Sequence, residues 1–457
     1  MLLKNGRIVS EKGKKREDIR IEKGEIKERG KGLKPLAGER VMNLANRLIF
    51  PGFIDPHVHF QLEARGAVSI DDFFHGSISA AYGGVTTYID YADQTADSLL
   101  AGLWRRQALA ADKSVLDYNL HLVINNDFEP KKHLQEMDRL KEAGIRSIKL
   151  FTTYAGIYML SVDKMEAIFK KAAENNILVT VHAEDDEIIQ KRLKKHRRED
   201  KLGVEFHPDI RPAEAEKNAV NKIAELSQKT GATAYIVHLS SKAGYKAVKK
   251  AQKKGVNLLA ETAPHYLLLN RDRYTGPDAR LNLMTPPLRE KTDNEALWQG
   301  LAEGSIEVVG TDHCAFTPQQ KNIGNNSLDI YPGIPGVETL FPLLYSFGVK
   351  KERISISRLV EVLSTNAARL FGLYPQKGSV EVGTDADLVI FNPAPEWKLS
   401  GDKLHSLAGY TPYAGLKIKG QIEQTLLRGE PVVDFNKFNG SRGGGKFIRA
   451  GEISYSQ

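Results

Sequence analysis

Phe50-Pro51-Gly52-Phe53-Ile54-Asp55-Pro56-His57-Val58-His59 reads as a short apolar strand that ends in two histidines one residue apart. Residues i and i+2 of a strand point to the same face. His57 and His59 can therefore aim both imidazoles at one point, and neutral imidazole is the commonest side-chain metal ligand. A His-x-His pair is a weak signal alone. It gains weight only where further ligands stand at the ends of later strands.

Downstream, apolar runs alternate with helical periodicity. Residues 85–91, 118–125, 146–152, 177–182, 233–238, 256–261 and 306–311 read as strands. Residues 98–112, 131–143, 162–175, 213–231, 241–254 and 291–303 read as helices, with two more at 336–347 and 356–371. With the opening strand this makes eight strands, nearly all followed by a helix. Alternating βα units imply an α/β protein with a parallel sheet, and eight of them fit a closed (β/α)8, TIM-like barrel. An open doubly wound sheet is the alternative that the count leaves standing.

Residues 1–50 carry a different texture, short strands punctuated by Gly6, Gly13, Gly24 and Gly30. That texture returns from about Gly378, at 388–391, 416–419, 423–428 and 432–434. The two chain ends are therefore expected to pair into one small β-sandwich. The expected division is 1–50 and 376–457 for the sandwich and tail, and 51–375 for the barrel. Ser441-Arg442-Gly443-Gly444-Gly445-Lys446 reads as a flexible tail.

At 457 residues and 41% hydrophobic, the chain is long and apolar enough for a large core. The net charge of +8 comes from 65 basic and 57 acidic residues. Basic runs at 12–15 and 191–198 have acids close by, so a solvated mixed-charge surface is expected, with no nucleic-acid partner. Cys314 is the only cysteine, which excludes an internal disulfide and suits a reducing, cytoplasmic compartment. No segment reaches the ~18 uninterrupted apolar residues of a membrane helix.

In a (β/α)8 barrel the chemistry sits at the C-terminal ends of the strands. Strand one ends in His57 and His59, strand four carries Lys149, strands five and six end in His182 and His238, and strand eight ends in Asp312. Each residue has a duller reading. A strand-end histidine is often only hydrogen-bonded, Asp312 can be a cap, and a lysine in an apolar strand can be salt-bridged to a barrel carboxylate. The conjunction of all six favours a metal site. An ammonium cannot bind a cation, but reaction of the neutral amine with carbon dioxide gives an anionic carbamate able to bridge two metals. Burial favours that reaction by lowering the lysine pKa.

Asp55-Pro56-His57-Val58-His59, Lys149, Val181-His182-Ala183-Glu184, Ile236-Val237-His238-Leu239-Ser240-Ser241, Glu261-Thr262-Ala263-Pro264-His265-Tyr266-Leu267 and Gly310-Thr311-Asp312-His313-Cys314 resemble the cyclic amidohydrolases. That group includes dihydropyrimidinases and hydantoinases, allantoinases and dihydroorotases. The resemblance extends to Thr365-Asn366-Ala367-Ala368-Arg369-Leu370-Phe371-Gly372 and Gly383-Thr384-Asp385-Ala386-Asp387-Leu388. It implies two divalent metals. His57, His59, Lys149 as its N6-carboxylate, and Asp312 would hold one; the same carbamate, His182 and His238 would hold the other. Zinc is the usual metal, with manganese or cobalt also compatible. Asp312 would carry the proton from the attacking water to the leaving nitrogen, and a homotetramer is implied.

The resemblance also bears on the substrate. Tyr154 matches the tyrosine with which hydantoinases stabilise the oxyanion. Dihydroorotases place an arginine two residues beyond the second histidine, where this chain has Gln61; glutamine cannot replace bidentate carboxylate binding. Leu62, Ala64 and Val68 of the following loop are candidates for meeting a hydrophobic 5-substituent. Thr285 matches a backbone contact to the ring amide. A second contact falls on Pro332, where the family has asparagine, and proline lacks the N–H. Thr411-Pro412-Tyr413 looks more like allantoinases. The expected activity is hydrolysis of a cyclic amide, a hydantoin or dihydropyrimidine, to the N-carbamoyl amino acid. An allantoinase is the alternative, a dihydroorotase a lesser one, and a non-catalytic scaffold of the same family a third.

Overall fold

The computed structural model describes residues 1–324 and 326–454. Eight parallel strands follow one another around a barrel. They are β1 (Phe53–Asp55), β2 (Val85–Asp93), β3 (Asp117–Val123), β4 (Ser147–Phe151), β5 (Leu178–His182), β6 (Ala234–Ile236), β7 (Leu258–Thr262) and β8 (Val308–Val309). Helices cover the outside, so the strands are shielded on both faces, and β3 is buried at all seven positions. This is why the strands read as continuous apolar runs rather than alternating ones. Several helices start where the sequence offers an oxygen: Ser98, Ser161, Asp185 and Ser241 each accept from backbone N–H groups of the first turn, a contact that stabilises by about 1 kcal/mol.

The ladder of β8 is shorter than expected, two residues instead of the run 306–311. Its continuation leaves the sheet because Asp55 captures it: the Thr311 N–H donates to Asp55 Oδ1 at 3.1 Å, and the Thr311 hydroxyl donates to Oδ2. A single bridge between Val58 and His313 then closes the barrel. Burial pushes the Asp55 carboxyl up to about 7, against those hydrogen bonds. The two helices after β8 are not regular either. Leu344–Val349 and Glu361–Thr365 are widened π turns inside them, a feature that apolar periodicity does not reveal.

The chain ends meet in one seven-stranded sheet, where Leu48–Pro51 pairs with Leu388–Lys398 and with Arg7–Ser10. A four-stranded sheet from the first 43 residues packs on it through a core that includes Leu3, Ile8, Ile19, Ile49, Leu388 and Leu426.

The expected flexible tail is a correction. From Gly445 the chain runs under the barrel: Tyr118 N–H donates to Lys446 O at 2.9 Å, Ile448 N–H to Tyr118 O at 2.8 Å, and Ala450 N–H to Gly144 O at 2.9 Å. The glycines allow a close approach instead of motion. A Cβ on Gly445 would lie 1.8 Å from the Leu116 carbonyl oxygen. Gly445→Val is therefore expected to detach this strand and to cost roughly 2–4 kcal/mol, read as a lower melting temperature; an unchanged melt would mean that the docking contributes nothing.

Candidate active site

The six predicted ligand residues converge at the C-terminal mouth of the barrel, around a cavity of about 300 Å3 that all of them line. Larger grooves on the outside, such as one of about 480 Å3 beside the helix Asp186–Arg198, hold none of them. His57 and His238 ring centroids lie 5.4 Å apart, and His182 and His238 4.6 Å apart. Asp312 Oδ1 stands 3.2 Å from His57 Nε2 and 3.1 Å from His59 Nε2. One ligand atom each from His57, His238 and Asp312 falls within 4.8 Å of the others. His238 and Asp312 hold φ of 40° and 51°, and Tyr154 holds 67°. Left-handed backbone at such residues is costly and clusters where side chains must be aimed.

Bare nitrogens on the cavity wall mark these histidines; His133 and His265 also carry unpaired nitrogens but do not line the cavity. His57 Nε2, His59 Nδ1 and His238 Nδ1 are buried without a hydrogen bond. His121 in β3 is equally buried but satisfied on both sides: Nδ1 lies 2.6 Å from Ser147 Oγ and Nε2 2.9 Å from the Pro56 carbonyl. Buried nitrogen lone pairs left unpaired are expensive, and a cation would satisfy them. The second nitrogens are held by carboxylates, His57 Nδ1 by Glu261 Oε1 at 2.6 Å and His182 Nε2 by Glu184 Oε2 at 2.7 Å. Such partners fix the ring and its tautomer for metal binding. Burial lowers the pKa of His59, His182 and His238, which favours neutral imidazoles. For His57 burial is outweighed by Glu261 and then Asp312, which hold it up at about 9.

Lys149 is 2% exposed. Among the described residues it makes no hydrogen bond or ion pair, so the salt-bridge reading fails. Its Nζ lies 5.1 Å from the Tyr91 ring centre and 5.3 Å from that of Phe151. Burial brings its pKa down to about 7, against the pull of Asp312 and Glu261. A neutral amine is thus available near neutral pH, as carbamate formation requires.

These donors fit a pair of divalent cations. A family model, the amidohydrolase family, matches residues 48–432. The chain is 35% identical to a D-hydantoinase of Geobacillus stearothermophilus over 98% of its length and 96% of that protein. It is 36% identical to a D-phenylhydantoinase of Escherichia coli, over 98% of both. The solved dihydropyrimidinase of Brevibacillus agri is similar at a TM-score of 0.97, 31% identity, over 100% of this chain and 99% of that one. The protein belongs to the amidohydrolase family.

An amidohydrolase of this kind implies a binuclear divalent metal site, and its substrate face is the rest of the cavity wall. Tyr154, Thr285 and Pro332 all line it, and Tyr154 hydrogen-bonds with Thr285. The Arg211 guanidinium lies 5.3 Å from the Tyr154 ring centre and pairs with Glu184 Oε2 at 2.5 Å. Glu184, Glu261 and Arg211 were not singled out from sequence. The two glutamates stood inside quoted motifs, but a supporting role depends on what faces them across the barrel.

The loop after β1 departs from expectation. Gln61 is not on the cavity wall; its φ of 49° turns it outward, where its Oε1 accepts from Lys113 Nζ at 2.7 Å. A side chain at position 61 therefore faces away from the cavity and does not meet a substrate carboxylate. Arg65 of the same loop does line the cavity, but its guanidinium donates to the carbonyls of Leu328, Asp329 and Ile330 at 2.7, 3.1 and 2.8 Å. Leu62 and Ala64 reach the wall, whereas Val68 does not and is 45% exposed. Thr411 and Tyr413 are buried and do not line the cavity.

Proposed function

We propose that this protein is a two-metal cyclic-amide hydrolase that opens hydantoin or dihydropyrimidine rings to N-carbamoyl amino acids. The observation that carries this reading is the set of unpaired imidazole nitrogens around an unpaired buried lysine, in a cavity whose outer wall is apolar. His57, His59, Asp312 and the carboxylated Lys149 would hold one metal; the same carbamate, His182 and His238 would hold the other, with zinc favoured by the nitrogen and oxygen donors. In forming the carbamate, Nζ bonds to the carbon of carbon dioxide and releases one proton. When bound, the metal pair would supply Lewis acidity and a lowered pKa for water.

The chain's own groups do the rest. Asp312, held low in pKa by the neighbouring histidines against its burial, is the proton acceptor and returns the proton to the ring nitrogen. The Tyr154 hydroxyl, kept protonated because burial raises its pKa despite Arg211, donates to the oxygen on which charge develops. Thr285 and Pro332 orient the ring through backbone groups. Tyr154→Phe is expected to lower kcat by about 10^2–10^3 with little change in KM; an unchanged kcat removes the hydroxyl from this role.

A hydrolysis panel tests the reading: hydantoin, 5-substituted hydantoins of both hands, dihydrouracil, allantoin and dihydroorotate. Preferred opening of allantoin or dihydroorotate would replace it by one of those activities. A non-catalytic scaffold predicts no metal on elemental analysis and no carbon dioxide mass on Lys149. We further propose a homotetramer, checked by light scattering, and a reducing intracellular compartment, on the strength of a lone buried cysteine. Among the described residues no helix is long and apolar enough to cross a membrane.

A further inference from the structure

Two charged groups on the cavity wall belong to neither the metal cluster nor the ring contacts, Arg65, which is spent on the Leu328, Asp329 and Ile330 carbonyls, and Asp93. Asp93 closes β2 and stands beside Val123, the last residue of β3. Leu62, Phe151, Ile157 and Phe316 supply apolar surface to the same cavity. The Tyr158 hydroxyl neighbours the Asp93 carboxylate and interacts with it electrostatically, and the Tyr158 ring packs on Phe151 at 4.7 Å between centroids. Among the described residues Asp93 forms no ion pair. Arg106, the cation that acts on it most, is committed to Asp90 at 2.6 Å and to the Gln61 carbonyl at 3.1 Å; Arg105, which also acts on it, is exposed.

Two carboxylate oxygens offer about four acceptor positions, and one neighbouring hydroxyl leaves most of them open toward the cavity. Strands β2, β3 and β4 are consecutive in the barrel, whereas Thr285 and Pro332 follow β7 and β8. Thr285, Pro332, Tyr154 and Asp93 all line one cavity, so a ring held by the first three places its substituent in the volume whose wall also carries Asp93. An apolar substituent packed there strips water from the carboxylate and gives nothing back, a loss that strongly disfavours such ligands. A substituent ending in a hydrogen-bond donor restores the partner.

We propose that Asp93, steadied by Tyr158, selects cyclic ureides whose side chain ends in a hydrogen-bond donor, a hydroxyl or an ammonium. This inference rests on the ring-opening activity proposed above. Its body-plus-tip logic is specific: the apolar wall takes the aromatic or aliphatic stem, and the carboxylate takes the tip.

The test compares matched pairs on the zinc-loaded protein. One pair is 5-(4-hydroxyphenyl)hydantoin and 5-phenylhydantoin; the other is 5-(4-aminobutyl)hydantoin and 5-pentylhydantoin. The readout is the kcat/KM ratio within a pair, which cancels any loss of folded protein. The wild-type protein is expected to favour the donor member of at least one pair by about 10-fold or more, and Asp93→Leu to bring that ratio to within about 3-fold of unity. Asp93→Asn, which keeps acceptor oxygen but no charge, should retain a hydroxyl preference and lose an ammonium preference. Ratios near unity in the wild type, or a preference that survives Asp93→Leu, overturn the inference while leaving ring opening intact. If the zinc-loaded wild type opens no ring in either pair or in unsubstituted hydantoin, the proposed activity falls, and this inference with it.

Discussion

Replacing Lys149 by alanine is expected to abolish the metal pair and to lower ring-opening activity by about 10^3-fold or more, the scale of several kcal/mol of lost Lewis-acid stabilisation. Lys149 sits in β4 with no ion-pair partner and with its amine brought down to about 7. As an ammonium it would place a positive charge among His57, His182 and His238, where it repels any cation. As a carbamate it would be the one ligand common to both proposed metal groups. Alanine removes that ligand and leaves space shaped for a small carboxylate. Acetate or propionate should therefore restore part of the metal content and part of the activity in Lys149→Ala, in proportion to each other. Elemental analysis and an initial-rate assay, each with and without added acid, provide the check. Full activity and two bound metals in the variant without any acid would contradict the bridge.

The convergence of the six candidate ligands was legible from sequence because five stand at the ends of apolar runs and Lys149 stands inside one, and eight such runs alternating with helices fit a barrel. The sandwich was legible for a similar reason, a strand-and-turn texture present at both ends and absent between them. What stayed hidden depends on direction and on distant partners. Gln61 has the right sequence position to face a substrate, yet its left-handed backbone turns it to Lys113. Glu261 looks like any strand carboxylate until His57 and Tyr235 are seen to share it, at 2.6 and 2.9 Å. The glycine run before Lys446 suggests mobility by composition, but Gly445 is there because the Leu116 carbonyl leaves no room for a side chain. Asp93 and Tyr158 are 65 positions apart in sequence, and nothing local announces that they meet.

The same dependence on distant partners produces the largest expected effect on stability, which lies at the opposite end of the barrel. Asp117, Asp385 and Asp387 form a second cluster with the spacing of metal ligands. Its cation is part of the chain: Lys377 Nζ lies 2.5, 2.8 and 2.7 Å from the three carboxylates. Arg428 adds a further contact to Asp117. The lysine is 1% exposed, and its pKa is raised because the carboxylates outweigh its burial. Asp117 opens β3, while Asp385 and Asp387 lead into the strand Leu388–Lys398 of the sandwich, so this one ammonium joins the two layers. Lys377→Met fills the space but leaves buried carboxylates facing each other, at a cost of about 3–5 kcal/mol near neutral pH. The pH dependence has a definite sign. Burial already raises the pKa of Asp387, and Lys377 opposes that rise; without the lysine the folded-state value climbs further. A raised carboxyl pKa penalises the folded state progressively from the unfolded-state value upward and in full above the folded-state value, and the penalty vanishes once the group is protonated in both states. The stability gap between Lys377→Met and the wild type should therefore be widest near pH 8 and narrow as the pH falls toward about 4. Denaturant melts of both proteins across that range measure it. A gap that is constant with pH would mean that lost packing, not uncompensated charge, is what the variant suffers.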